Sequence, residues 1–231
     1  TDMGEFTTTQ LQSLTTAQVA GLTSTNAQSL STQQLAALTT SQIAALSVTN
    51  LSALDATQVG ALTTTQTKAL TATQLTGLDA ADVAEFSTTH ISNFANTQLL
   101  ALTSTNMAAL SETQIAAISA PGVKALTATN FAAFAETQLG ALTTTQVSSL
   151  TNTQLQALNS TKFASFTATQ LGALTTSQVS GISTTNLSAL DATQFDAFRT
   201  TQLQTLSTTQ LNGLSTPDIR ELPPPQPRAP T

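Results

Sequence analysis

A large apolar residue returns at every eighth position from Phe6 to Leu222, 27 steps without a slip. Few periods restrict a fold as much. At about 3.6 residues per turn, eight residues leave an apolar stripe roughly 80° out of phase at each repeat. A continuous helix would wind that stripe around itself several times and could not cover one core. A half-buried strand needs alternation with a period of two, which the octad lacks.

The inside of the octad shows how the period is used. In Leu142-Thr143-Thr144-Thr145-Gln146-Val147-Ser148-Ser149, the second position is an N-cap residue type. It is Ser, Thr, Asp or Asn in 24 of 27 units, and only Ala95, Ala135 and Arg199 break the rule. A short side-chain oxygen there accepts from an orphan backbone N–H of a helix start. Three residues on comes Gln in most units, as at Gln10, Gln18, Gln34 and Gln42. Thr-x-x-Gln is a capping box, and apolar first and sixth positions form the matching hydrophobic staple. Leu11, Val19, Leu35, Ile43 and Val59 occupy the sixth position. The eighth is nearly always Ala, Gly or Ser, as at Gly21, Ala37, Ala45, Ala53 and Ala61, so backbones can approach there.

A fresh start signal every eight residues predicts a fresh helix every eight residues. Helices of about two turns are unstable alone, so each must bury its apolar side on neighbours. The expected fold is all-α: a solenoid of very short capped helices, one per octad. A β-solenoid is the alternative, since Thr and Val favour strands, but it leaves the Gln column without a purpose.

The chain divides into a lead-in over 1–5, the repeat array over 6–222 and a Pro-rich tail or linker over 223–231. Five prolines in the last segment preclude a helix there. Pro121 and Pro217 fall in a first helical turn, where a missing N–H costs little. A start at Thr1 rather than Met suggests a fragment or processed piece. Longer echoes run through the array. Thr23–Asn26 returns as Thr103–Asn106, 80 residues on, and Gly60–Gln66 returns as Gly140–Gln146. Phe131 and Phe134, Phe163 and Phe166, Phe195 and Phe198 recur at 32, whereas Asn26 and Asn50 stand 24 apart. The first two spacings suit helix pairs and the third suits three units per coil, so the number of units per coil stays open.

Only 8% of residues are charged, against about 25% in an ordinary domain. Net charge is −6 with six basic residues, which leaves no basic stripe for nucleic acid. No apolar run approaches the roughly 18 residues of a membrane span. Catalysis has no obvious apparatus, and no cofactor is implied. The one histidine, His90, stands in the Gln column and reads as a substitute polar residue. Asp79, Asp82 and Glu85 form the densest acidic group and read as a cap, an N3 acceptor and a solvated position rather than a metal site. The feature with functional potential is the fourth position, which is Thr in 20 of 27 units. Thr129, Thr137, Thr145, Thr153, Thr161 and Thr169 are its longest run from the middle of the chain onward. Such a ladder could touch a copy of itself or order water.

The string Leu-Thr-Thr-x-Gln-Val/Ile/Leu-Ala-Ala, seen at Leu38–Ala45 and Leu142–Val147, resembles arrays in very large repetitive bacterial secreted and surface proteins of the adhesin-like or haemagglutinin-like kind. The likeness covers 217 of 231 residues. It implies export, often by a one-step secretion route, and a stalk, fibre or adhesion role. It supplies no active-site residues. The Thr-x-x-Gln start also looks like the helix openings of DNA-reading α-solenoids, but their longer repeats and basic character are missing. The expectation is a non-enzymatic structural or adhesive module, extracellular or on a bacterial surface, that self-associates or contacts a matrix. An ice- or crystal-surface binder using the Thr ladder is the alternative.

Overall fold

The computed structural model describes residues 3–214. After a 3-10 turn at Met3–Glu5 come 26 short helices at eight-residue steps, from α1 (Thr8–Gln12) and α2 (Thr16–Ala20) to α26 (Thr208–Asn212). No strand occurs among the described residues, so the helical reading holds and the β-solenoid does not. The last octad, with Pro217, and the Pro-rich tail lie outside the described residues. The chain forms two compact units, 1–118 and 119–231.

Each octad is one helix of four to six residues and one corner. The C-cap is the first-position residue after the six-residue helices and the eighth-position residue after the five-residue ones, and the first-position residue immediately precedes the next N-cap. Leu38 is extended (φ −60°, ψ 142°), and so is the cap Thr39 (φ −70°, ψ 158°). The Leu38 N–H closes the preceding helix with a bond to the Leu35 carbonyl at 3.1 Å, one residue tighter than an α-helical bond. Two extended residues therefore turn the chain, and no described residue has positive φ. Corners need neither glycine nor a left-handed cap.

Within each unit a helix packs on the third helix after it. In the first unit α2 packs on α5 (Thr40–Ala45), α5 on α8 (Thr64–Ala69) and α8 on α11 (Thr88–Asn93). In the second, α15 (Ala120–Ala125) packs on α18 (Thr144–Ser149), and α18 on α21 (Ala168–Gly172). Three octads make one coil, which resolves the choice the sequence left open.

First- and sixth-position side chains fill the interior; Leu35, Ile43, Leu75, Phe131, Phe134, Phe163 and Phe166 are fully buried. The Phe pairs are core. Phe163 and Phe166 meet edge to face at 5.6 Å, and Phe131 and Phe134 at 5.4 Å. Thr67 takes a sixth position and is fully buried, its hydroxyl donating to the Thr63 carbonyl one turn back at 3.0 Å.

The small eighth position is explained by what lies against it. A Cβ on Gly77 would stand 2.7 Å from Val48 Cγ1, and one on Gly213 would stand 2.6 Å from Thr184 Cγ2. Each is an eighth-position residue against the third position of the coil before. Seventh-position glycines differ among themselves. A Cβ on Gly172 would meet the Ala197 carbonyl oxygen at 2.9 Å, while one on Gly60 would meet nothing within 4 Å. Ala is the better helix former by about 1 kcal/mol. Gly60→Ala should therefore raise stability by about 0.5–1 kcal/mol, and Gly172→Ala should lower it, because a backbone oxygen must move. Thermal melts of the two variants check the opposite signs.

Candidate functional site

The capping boxes form as the sequence indicates, and their glutamines do more than cap. At Gln66, Oε1 accepts from the Thr63 N–H at 2.8 Å, closing the box within its own helix. Its Nε2 turns away and donates to the carbonyls of Leu38 at 2.7 Å and Leu35 at 2.8 Å in the coil before. The same pair of reaches, to residues 28 and 31 positions earlier, recurs at Gln42, Gln74, Gln98, Gln154, Gln170, Gln178 and Gln210. The first-position carbonyls, such as that of Leu38, lie at a helix end and take the amide as partner, whereas the sixth-position carbonyls, such as that of Leu35, already accept the N–H that closes their helix and receive the amide as a second donor. Each side-chain amide thus satisfies one helix's first turn and another's last. These glutamines are buried, and no buried side-chain nitrogen or oxygen among the described residues lacks a partner. In the first coil, Gln10 and Gln18 close only their own boxes and stay exposed.

Substitutes in the column obey the same chemistry. At His90, the Ser87 N–H approaches Nδ1 at 3.4 Å, and Nε2 lies 2.8 Å from the Leu62 carbonyl, 28 residues back. With Nδ1 as acceptor and Nε2 as donor, neutral imidazole reproduces a glutamine amide, so the histidine is structural. Asn50 is one methylene shorter; it reaches the Leu22 carbonyl at 2.9 Å and forms no reciprocal box. Asp82 has no N–H to give. It accepts from the Asp79 N–H and from the Ser52 hydroxyl instead. Gly122 offers no side chain.

The three exceptional caps behave as half boxes. Ala95, Ala135 and Arg199 supply no side-chain acceptor, yet their N–H groups still donate to Gln98, Gln138 and Gln202 at 2.9, 2.7 and 2.6 Å. Ala135→Thr should restore the missing half and add about 1 kcal/mol, read as a raised denaturation midpoint.

The acidic group is a seam of like charge. Asp79 caps its own helix, α10 (Ala80–Ala84), through the Ala81 and Asp82 N–H groups. Burial first, then the Asp82, Asp55 and Asp79 carboxylates, push the Glu85 carboxyl above its ordinary range. A carboxyl raised in the folded state stabilises fully below its unfolded value, about 4.3, and that stability is lost as pH rises through the folded value. Glu85→Gln should thus be more stable than the parent at pH 7, by roughly 0.5 kcal/mol or less for a partly solvated group. The difference should vanish near pH 4. Among the described residues no three His, Cys, Asp or Glu are grouped to hold a metal ion.

Thr129, Thr137, Thr145, Thr153, Thr161 and Thr169 are all exposed, each the second residue of its helix. They do not make a single file. With three helices per coil, residues eight apart sit on different columns. Thr129 stacks with Thr153, because α16 (Ala128–Ala132) packs on α19 (Asn152–Gln156). Thr137 pairs likewise with Thr161 and Thr145 with Thr169. The six hydroxyls form three columns of two. Beside them an open depression is lined by Thr144, Ala168, Thr169, Gly172, Ala173, Ala197 and Arg199. It contains one charged group and no acid–base pair.

No protein-family model matches the chain, and no curated protein matches it. No described helix is long and apolar enough to cross a membrane.

Proposed function

We propose that the chain is a non-enzymatic structural repeat module, a stalk, fibre or adhesive element working outside the cell or on a bacterial surface. One observation supports the reading: the repeated geometry of the octad is spent on joining coil to coil, through buried side-chain amides, and not on assembling a pocket. The outer surface is hydroxyl- and amide-rich with few charges, so contacts between copies or with a matrix would tolerate salt. Electron microscopy of the purified chain should reveal ordered fibres at low and at high ionic strength. Uniform single particles at every concentration would reject assembly.

A second reading rests on the exposure of the Thr columns. Methyl and hydroxyl groups repeated on neighbouring helices suit an ice or crystalline surface. Thermal hysteresis should then be present and should be lost in the Thr137→Lys, Thr145→Lys variant; hysteresis that survives the two lysines rejects the reading.

A further inference from the structure

We infer that Asn159 is an acceptor for an asparagine-linked sugar, transferred from a donor of the sugar diphosphate class. The inference goes beyond the surface-module reading, and its test reads the site whether or not copies assemble. Three Asn-x-Ser/Thr triplets occur in the sequence: Asn50-Leu51-Ser52, Asn159-Ser160-Thr161 and Asn186-Leu187-Ser188. That triplet is the acceptor pattern for N-linked glycans, which are bulky and need an accessible surface. The fold separates the three. Asn50 and Asn186 stand in the Gln column, 1% and 4% exposed. Their Nδ2 groups donate to the Leu22 and Leu158 carbonyls of the coil before, at 2.9 and 3.2 Å. A sugar on either nitrogen would have to enter between two coils and would break that join.

Asn159 is placed differently. It is the exposed N-cap of α20 (Ser160–Ala164), on an extended corner (φ −73°, ψ 169°). Only one end of its side chain is in use. Oδ1 accepts from the Lys162 N–H at 2.9 Å, and Nδ2 has no partner among the described residues. The octad explains that freedom. Where the column holds Gln, its Oε1 lies beside the cap and takes donors from it, as Gln154 does from the Thr151 N–H at 2.9 Å and hydroxyl at 3.2 Å. Here the column holds Lys162, which offers no acceptor and turns its Nζ to the Ala132 carbonyl of the coil before. The adjoining caps are small. Because α17 (Glu136–Gly140), α20 and α23 (Thr184–Leu187) pack in succession, those neighbours are Ala135 and Ser183. Thr161, which completes the triplet, is exposed as well, and its hydroxyl is not engaged by any described residue.

The transfer balances. Nδ2 bonds to the anomeric carbon of the sugar, and the bond from that carbon to the diphosphate oxygen breaks. The oxygen keeps the electron pair, and one Nδ2 proton passes to a base of the transferase. The product is still an amide with its carbonyl, so the bond from the Lys162 N–H and the start of α20 are kept.

The test uses the folded chain, UDP-glucose and a purified transferase of Asn-x-Ser/Thr specificity, with peptides mapped by mass spectrometry. Hexose should appear on Asn159, about tenfold or more above Asn50 and Asn186, whose buried amides react only after local opening. Thr161→Ala leaves the cap in place and should take no sugar while melting with the parent. Asn159→Asp keeps an oxygen acceptor for the Lys162 N–H and should also stay bare. The sugar-bearing chain should melt with the unmodified one. A folded wild type bare at Asn159, or one carrying as much hexose at Asn50 and Asn186, would overturn the assignment. So would a sugar-bearing chain that melts well below the parent, because the amide nitrogen would then have been holding the fold.

Discussion

Gln66→Leu should lower the stability of the first unit by about 2 kcal/mol, since it strands the buried Leu38 carbonyl and takes the acceptor from the partly buried Thr63 N–H, an unsatisfied buried group costing about 1–3 kcal/mol. The leucine is of similar size and apolar, so a column valued only for filling space would accept it. Gln66→Glu separates the two tasks of the side chain. A carboxylate still accepts from Thr63, but it faces the Leu35 and Leu38 oxygens that the amide now approaches at 2.8 and 2.7 Å. The introduced carboxyl therefore takes up its proton more readily in the folded chain than in the unfolded one, where it titrates near about 4.3. Its stability should be recovered below about pH 4, where an O–H can donate, and should fall as pH rises through the folded value. Urea midpoints at pH 4 and pH 7 read this. A pH-independent variant would show that capping alone is what the residue does.

The second large effect is expected at Phe163→Ala. Phe163 is fully buried against Phe166, and truncating such a ring costs about 3–5 kcal/mol because the cavity only partly collapses. In a repeat array, stability is the sum of unit and nearest-neighbour terms. The loss should therefore fall on the coils around α20 (Ser160–Ala164) and divide the unfolding of the second unit into two steps. Denaturant curves followed by far-ultraviolet dichroism should show a low-midpoint phase in Phe163→Ala that the parent lacks. Combined with Gln66→Leu, which lies in the other unit, the losses should add, since the two sites share no partner.

Much of this architecture was legible in the octad. Helix starts, cap residues, the first- and sixth-position core and the small eighth position each follow from local chemistry that one unit contains. The coil was not legible, and the reason is geometric. Hydrogen-bonded neighbours in successive coils stand 28 and 31 residues apart, between the 24 of three octads and the 32 of four. Side-chain echoes at both spacings are therefore compatible with one packing, and neither reveals it. For the same reason the exposed Thr run, continuous along the chain, divides into three columns once the coil closes. The second role of glutamine did leave a signal. A capping box is served equally by Glu or Gln, yet no Glu occupies that column anywhere in the array. A position that demands a donor as well as an acceptor disfavours a carboxylate, which stands in the column only as Asp82 and Asp218, and that bias is visible in the sequence alone.

A coil of three octads also governs what a change in copy number does. Gain or loss of three units returns every later residue to the column it held. Gain of one unit moves all that follows by about a third of a turn, so a binding stripe downstream would face a new direction while the interior stayed the same. The 80-residue echo is ten units, one more than a multiple of three. Its two copies in the first unit, Thr23–Asn26 and Thr103–Asn106, consequently start helices on adjacent columns. Slippage during replication could thus steer the outer surface of such an array as well as lengthen it.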